Sequence, residues 1–203
     1  MNQCIAKKYG SRKQSIVEHG DKAFEEYLKI RNNSKEVNII KSIFGTKLSD
    51  ESKKFAIKLI GESVRYHDYG KNNINFQYKI GNSLVRTINF NSRHSVLGGI
   101  YFIKDKIDMV LKMNEDKVSQ ILLINYISIL GFAISMHHTK VLKNIEDRFF
   151  EFCDIANKYI NLDLVKTNTY YEVNVEHIFK YTWKAIKDAD VSASIKFQEG
   201  YYD

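Results

Sequence analysis

The chain has 203 residues, of which 44% are hydrophobic and 13% aromatic, and this composition excludes an intrinsically disordered protein. It contains no proline and only 10 glycines, so long uninterrupted helices are favoured. The formal net charge of +7 suits a polyanionic partner such as nucleic acid, although a lysine-rich solvated surface explains it equally well. Cys4 and Cys153 match no metal or redox spacing and are expected to be reduced thiols.

The sequence predicts a protein that works in the cytoplasm and makes no membrane contact. Its N-terminus lacks the charged region followed by an apolar run that marks a secretory signal. The longest apolar stretch, residues 121–136, contains Asn125 and two serines and is short for a bilayer span.

Helical periodicity dominates the first part of the chain. After a short basic N-terminal segment it begins near Ser15, is interrupted at residues 32–34, and resumes in a second, short helix. A third helix begins near residues 49–50, where a serine and an aspartate provide a good capping sequence. The apolar stripe of this helix leads to the adjacent residues His67 and Asp68.

Residues 72–93 are rich in asparagine and predict no clear element. We expect Phe76 and Ile80 to anchor this segment to the core. His94 then opens the next helix.

The segment 117–138 is apolar nearly all round, which is typical of the buried central helix of an all-α domain. It ends in a pair of histidines. Two amphipathic helices follow, at about 143–161 and 174–195. Because no stretch shows the alternation of a β-strand, we predict a single all-α domain that covers residues 1–203.

Five of the six histidines and two aspartates lie on or at the ends of predicted core-facing stripes. A buried imidazole or carboxylate needs a polar partner or a metal ion, and helical bundles build metal sites from ligands on separate helices. His177, the sixth histidine, is expected at the surface. The seven candidate residues are His19, His67, Asp68, His94, His137, His138 and Asp190.

These residues carry a family resemblance. His19, His67-Asp68 and Asp190 resemble the H…HD…D signature of the HD metal-dependent phosphohydrolase superfamily. Further residues resemble, more narrowly, the HD nuclease of type I CRISPR systems, which works with or is fused to a superfamily 2 helicase. The resemblance runs from residue 5 to residue 194, although Thr139 stands where a glycine is expected. The further residues are Ile5-Ala6-Lys7, Gly70-Lys71, Phe76-Gln77, His94, His137-His138 and Ala193-Ser194.

The resemblance implies a centre with two metal ions. His19, His67, Asp68 and Asp190 would bind the first ion. Asp68 would bridge to the second ion, which His94, His137 and His138 would hold. Such mixed imidazole and carboxylate ligands suit Mn, Ni, Co, Fe or Zn better than Mg, which prefers oxygen ligands.

The resemblance also implies catalytic roles for Asp68, Lys71 and Ser194. Lys71 would contact the scissile phosphate or neutralise charge in the transition state. Ser194, one helical turn beyond Asp190, would orient that carboxylate or touch the substrate. Exposed aromatic rings near the site are candidates to stack on unpaired bases, and these are Tyr66, Tyr69 and Tyr78.

The expected function is that of a metal-dependent endonuclease or other nuclease acting on single-stranded DNA in CRISPR antiviral defence. The expected partners are a superfamily 2 helicase, separate or fused, and the CRISPR surveillance complex. One alternative is an HD phosphohydrolase acting on a nucleotide, such as a deoxynucleotidase or a cyclic-nucleotide phosphodiesterase. Another is a degenerate HD domain that only binds nucleic acid or a protein, which the complete ligand set disfavours.

Overall fold

The computed structural model describes residues 4–81, 93–140, 142–160 and 175–201, and regular structure in these ranges is almost entirely helical. A 3-10 turn (Tyr69–Asn72) lies between the third and fourth helices. The predicted all-α fold class is therefore confirmed. The helices of the described residues are α1 (Ile16–Ile30), α2 (Asn33–Phe44), α3 (Asp50–Tyr66), α4 (Ile74–Lys79), α5 (His94–Val110), α6 (Lys117–Ser135), α7 (Ile145–Ile160) and α8 (Val175–Glu199).

The N-terminal segment corrects one expectation, because it forms a small sheet. Strands β1 (Ile5–Tyr9) and β2 (Arg12–Ser15) pair antiparallel, and the turn between them places Gly10 at φ +59°, which glycine adopts without strain. Sequence periodicity missed the hairpin because its strands are only five and four residues long and include a register irregularity. A lone hairpin of this size is marginal in water, and here it packs against α1 and the 3-10 turn.

Side-chain caps begin the helices where the sequence predicts. The hydroxyl of Ser15 accepts from the backbone N–H of Glu18, whose carboxylate reaches back to the Ser15 N–H, so α1 starts with a complete capping box. The side chains of Asn32, Ser49 and Asp116 cap α2, α3 and α6 by accepting hydrogen bonds from backbone N–H groups of the first turn. These caps fix where α1 and α3 begin and therefore which residues face the core.

Helix α6 is the centre of the core. It packs against α3, α5 and α8, and every residue from 125 to 134 is buried. Helices α5 and α6 are consecutive and approach closely where glycine faces glycine: a Cβ on Gly99 would lie 2.3 Å from the carbonyl oxygen of Gly131. This contact brings the first residue of α5, His94, beside the turn that follows α6.

Among the described residues, α6 is the one helix that is long and apolar enough to cross a bilayer by composition. The share of its most apolar 18-residue window that is buried inside the structure is 72%. Its apolar surface is thus largely covered by the neighbouring helices.

Two further details differ from the sequence-based expectation. Helix α6 ends at Ser135, so His137 and His138 lie in the turn beyond it. In the Asn-rich segment, Phe76 and Ile80 are only half-buried, whereas the polar neighbour Gln77 is buried. Residues 82–92 of that segment lie outside the described residues.

Candidate metal centre

The structure brings the seven candidate residues together at one end of the helical bundle. They form two groups of four side chains that share Asp68, and in each group one ligand atom per residue lies within 4.8 Å of the others. Both groups could hold a metal ion. The first group consists of His19 from α1, His67 and Asp68 at the end of α3, and Asp190 from α8. The second group consists of Asp68, His94 at the start of α5, and His137 and His138 after α6.

Ligand atoms of the first group have the separations that a single ion requires. The Nε2 atom of His19 lies 3.0 Å from Asp190 Oδ1 and 3.5 Å from Asp68 Oδ2. The Nε2 atom of His67 lies 3.5 Å from Asp190 Oδ1 and 3.6 Å from Asp68 Oδ2. Ligands bonded at about 2.1 Å to one ion lie about 3.0–3.4 Å apart, depending on the angle between the bonds. The observed separations are close to that range.

Three histidines have the ring orientation of metal ligands. The Nδ1–H groups of His67 and His137 donate to the carbonyl oxygens of Val64 and Ile134, at 2.7 and 2.6 Å. The Nδ1–H of His19 donates to the side-chain oxygen of Gln14 at 3.0 Å. Since each acceptor is a carbonyl oxygen, Nδ1 carries a hydrogen in all three rings and Nε2 is the atom that faces the centre.

Several buried polar atoms of the centre have no hydrogen-bond partner among the described residues. They are the Nε2 atoms of His67 and His137 and the Oδ1 atom of Asp68. An unpaired buried polar atom is costly, and native proteins leave few of them without a partner, a water or an ion. The residues present therefore fit a divalent cation, which would accept these lone pairs.

The second group is wider and opens to solvent. Asp68 Oδ1 lies 3.9 Å from His94 Nε2 and 3.8 Å from His137 Nε2, while the Nε2 atoms of His94 and His138 are 2.9 Å apart. Asp68 and His137 are buried, His94 is half-buried and His138 is exposed. The second group is therefore the side of the centre that faces solvent.

Two lysines bring positive charge into the centre. Lys71, which is 4% exposed, donates from Nζ to Asp68 Oδ2 and, at 3.3 Å, to the carbonyl oxygen of Ala6. Lys7 on β1 donates to Asp190 Oδ1 at 3.1 Å. Ser194 donates to that same oxygen at 3.1 Å, as expected of a residue that orients the Asp190 carboxylate.

Sequence reasoning missed Lys7 and Gln14 as parts of this centre. Lys7 is named only as part of the Ile5-Ala6-Lys7 resemblance, with no role in the centre, and Gln14 is one polar residue in a polar run. Cross-strand pairing places them opposite each other on the hairpin, and only that pairing turns both side chains toward the centre. The sequence signal for this pairing is Gly10, which lies in the turn between the two short segments that form β1 and β2.

The charges of the centre hold both carboxylates in the ionised form. Burial alone would raise the pKa of Asp68, but the nearby charges of His67 and Lys71 outweigh it and lower that pKa strongly. For Asp190, the adjacent His19 and His67 rings and the charge of Lys7 likewise outweigh burial and lower the pKa. Burial lowers the pKa of Lys71, although its contact with the Asp68 carboxylate opposes the shift.

The histidines of the centre differ in the direction of their pKa shifts, because burial lowers the pKa of His19 whereas the pKa of His67 is raised. Burial disfavours the charged form of His67, but the adjacent carboxylates of Asp68 and Asp190 raise its pKa above the ordinary value. In the second group, burial lowers the pKa of His94 to about 4 and also lowers the pKa values of His137 and His138.

Gly70 allows the two groups to meet at Asp68. A Cβ on Gly70 would lie 1.7 Å from the carbonyl oxygen of His94 and 2.6 Å from the backbone nitrogen of Gly98. Any side chain at position 70 would therefore push the 3-10 turn away from the first turn of α5. Asp68 directly precedes this turn and His94 opens α5. The distance between Asp68 and His94 therefore depends on the absence of a side chain at position 70.

The three tyrosines considered for base stacking have different surroundings. Tyr66 and Tyr69 stack on each other with ring centroids 4.4 Å apart, and the edge of Tyr66 also meets Phe102. Tyr78 is 50% exposed. Stacking on a base stays a prediction, and the Tyr78 ring is the more accessible candidate.

Substitution Gly70→Ala is predicted to weaken the second group while the helices stay folded. The clash with His94 would move α5 away from Asp68, and we expect divalent-ion affinity there to fall by about 10–100-fold, as it does when a supporting contact of a metal ligand is lost. Titration calorimetry with Mn²⁺ or Ni²⁺ measures the effect, and circular dichroism verifies the helix content. Asn72→Ala, at an exposed position of the same turn, is the matched control. Equal affinities in both variants would contradict the role given to Gly70.

Ion binding to the first group is predicted to compete with protons, and binding to the second group is not. The raised pKa keeps His67 protonated to a higher pH than an ordinary imidazole, and a metal ion binds only the deprotonated ring, so the apparent affinity should fall as the pH is lowered through the raised pKa of His67. The lowered pKa values of the second-group histidines leave those rings neutral at the same pH.

The two groups can be measured separately in this test. His138→Ala leaves the first group intact, and Asp190→Ala leaves the second. Calorimetry in buffers of different ionisation enthalpy then counts the protons released per ion. Equal proton release from the two variants would contradict the assignment.

No protein-family model, curated protein or solved structure matches this chain. The likeness to the HD nucleases consequently stays an interpretation of the residues named above. The geometry itself establishes two groups of histidine and aspartate side chains, joined through Asp68, that could hold metal ions.

Proposed function

We propose that this chain is a metal-dependent nuclease that hydrolyses phosphodiester bonds of single-stranded DNA. The observation that carries the proposal is the position of Asp68, whose two carboxylate oxygens face two different groups of ligands. Paired metal sites a few ångströms apart are characteristic of enzymes that displace an oxygen at phosphorus.

The proposed cofactors are two divalent transition-metal ions, Mn, Ni, Co, Fe or Zn, with Mg less well suited. Five of the seven ligands are imidazoles, and imidazole favours these metals over Mg, which is usually bound by oxygen. When bound, the two ions would activate a water molecule and stabilise the leaving oxygen.

Residues of the chain would hold and orient the reacting groups. Asp68 would contribute one carboxylate oxygen to each site, and its burial keeps competing water away from these oxygens. Lys71 fixes the Asp68 carboxylate and would offset the negative charge that develops on the phosphate. Ser194 fixes the Asp190 carboxylate through its hydrogen bond.

The proposed substrate and partners follow from the resemblance and from the charge of the chain. The net charge of +7 suits a nucleic acid strand better than a small nucleotide, which requires no broad basic surface. The exposed side of the second group would admit a strand. A superfamily 2 helicase and the CRISPR surveillance complex would deliver unwound DNA to this centre in the cytoplasm.

Cleavage of circular single-stranded DNA tests the proposal. We expect the circle to be degraded in Mn²⁺ or Ni²⁺, more weakly in Mg²⁺, and not at all with chelator. Asp68→Ala removes the ligand that both groups share and should abolish cleavage. Asp108→Ala removes one negative charge from an exposed position of α5 and is the control that should retain cleavage.

Two other outcomes of this experiment would contradict the nuclease proposal. If the circle survives in every metal while a deoxynucleotide or a cyclic nucleotide is hydrolysed, the nuclease proposal fails and a nucleotide phosphohydrolase replaces it. If neither is hydrolysed while ions still bind, the domain is a binding module.

Lys71→Met and Ser194→Ala are predicted to impair cleavage in different ways, because Lys71 would be a catalytic residue and Ser194 a positioning residue. Removing the Lys71 charge should lower kcat by about 10²–10³-fold, as the loss of a group that stabilises developing charge does. Removing the Ser194 hydroxyl should cost about 10–100-fold in metal affinity or activity, and excess metal should restore most of it. Steady-state cleavage at several metal concentrations measures both, with Ser34→Ala on the exposed face of α2 as control. Identical behaviour of the two variants would contradict this division of roles.

A further inference from the structure

The β1–β2 hairpin concentrates positive charge beside the metal centre. Four of the seven residues from 7 to 13 are lysine or arginine, and no acidic residue occurs between Ile5 and Gln14. The four basic residues are Lys7, Lys8, Arg12 and Lys13.

Contacts at both ends fix the hairpin against the centre. At its base, the side chain of Gln77 accepts from the backbone N–H of Ile5 at 2.8 Å and donates to the Ile5 carbonyl oxygen at 2.9 Å. Lys71 reaches the carbonyl oxygen of Ala6. Near its tip, Arg12 donates to the carbonyl oxygen of Gln198 at the end of α8 at 2.7 Å. The hairpin that carries the basic side chains is therefore held in place beside the metal centre.

The register places like charges opposite each other on the exposed face. Lys8 pairs with Lys13 across the two strands, and both side chains are exposed. Directly opposed like charges destabilise an antiparallel pair, and neither lysine forms an ion pair with an acidic residue in the described part of the chain. A bound polyanion would relieve this repulsion.

The opposite face connects this charge to the centre. Lys7 lies across from Gln14, is partly exposed, and contacts Asp190 at 3.1 Å. Tyr9 follows on the same strand with 52% of its surface exposed, and the guanidinium of Arg12 lies 5.6 Å from the centre of its ring. A cationic surface that carries an exposed aromatic ring is typical of proteins that bind single-stranded nucleic acid.

We propose that the β1–β2 hairpin binds the sugar-phosphate backbone of the substrate strand next to the metal centre. Lys7 contacts the phosphate nearest the ions, Lys8 and Lys13 contact the adjoining backbone, and Tyr9 offers a ring to an unpaired base. This inference rests on the proposed nuclease function, because it identifies how that substrate is held.

Strand binding in chelator tests the hairpin without involving catalysis. Anisotropy of a labelled oligothymidylate is measured at several salt concentrations for the wild type and for the double variant Lys8→Gln/Lys13→Gln. Single-strand binding loses about 0.7 in the slope of log affinity against log salt for each phosphate contact, so the double variant should lose about 1.4. Its affinity at low salt should fall as well.

A matched double variant distinguishes the effect of the hairpin lysines from the effect of total charge. Lys112→Gln/Lys117→Gln removes the same charge from exposed positions beyond the far end of α5, about 25 Å along the helix from His94. We expect a small change in this control. If both double variants lose affinity and slope equally, only the total charge matters and the hairpin proposal is overturned. If a duplex of the same length depends on Lys8 and Lys13 as strongly as the single strand, the assignment to a single strand is overturned.

Hydrolysis of bis(p-nitrophenyl) phosphate keeps this inference distinct from the proposed function. This small phosphodiester reports on the metal centre alone, whereas circle cleavage also needs the strand to be held. The hairpin variant should lose circle cleavage by a larger factor than ester hydrolysis. If the wild type hydrolyses no phosphodiester but the hairpin variant still loses strand binding, the nuclease function fails and the binding surface stands. If the wild type hydrolyses the ester and the hairpin variant binds the strand normally, the hairpin proposal alone fails.

Discussion

The Asp68 carboxylate is the constraint on which this end of the molecule depends. It is 1% exposed and carries a negative charge, and a buried charge must be compensated by its surroundings. One oxygen faces His19, His67 and Lys71, and the other faces His94 and His137. Elements that are far apart in sequence must therefore bring donors or positive charge to a single group. Helix ends, the 3-10 turn and the hairpin meet where they do because each supplies part of that compensation.

Much of the fold and most of the centre could be predicted because residues close together in the sequence determine where a helix begins and which of its faces is buried. Capping residues and apolar spacing identify where α1 and α3 begin, and they show which residues face inward. His19, His67 and Asp190 are recognisable as candidate ligands because polar residues on an inward-facing stripe conflict with the apolar pattern around them. That conflict is visible in a single sequence.

Other parts could not be predicted because they depend on pairing between distant residues. The hairpin has neither the length nor the alternation that signals a strand, and its stability comes from contacts made after folding. Lys7 and Gln14 enter the centre only through that pairing. Gln77 is buried because it satisfies backbone groups 72 residues away, whereas the apolar neighbour Phe76 lies only half-buried against the ring of His94. Hydrophobicity alone ranks these two residues in the wrong order.

The side chain of Gln77 behaves as a third strand one residue long. Its amide exchanges two hydrogen bonds with Ile5, as a neighbouring backbone would, and the same nitrogen also donates to the carbonyl oxygen of Lys71 at 2.7 Å. The start of the chain and the turn that carries Lys71 are therefore coupled mechanically. Force applied to the N-terminal strand is transmitted to the residue that contacts Asp68 by two routes, through the Gln77 amide and through the hydrogen bond from Lys71 Nζ to the carbonyl oxygen of Ala6.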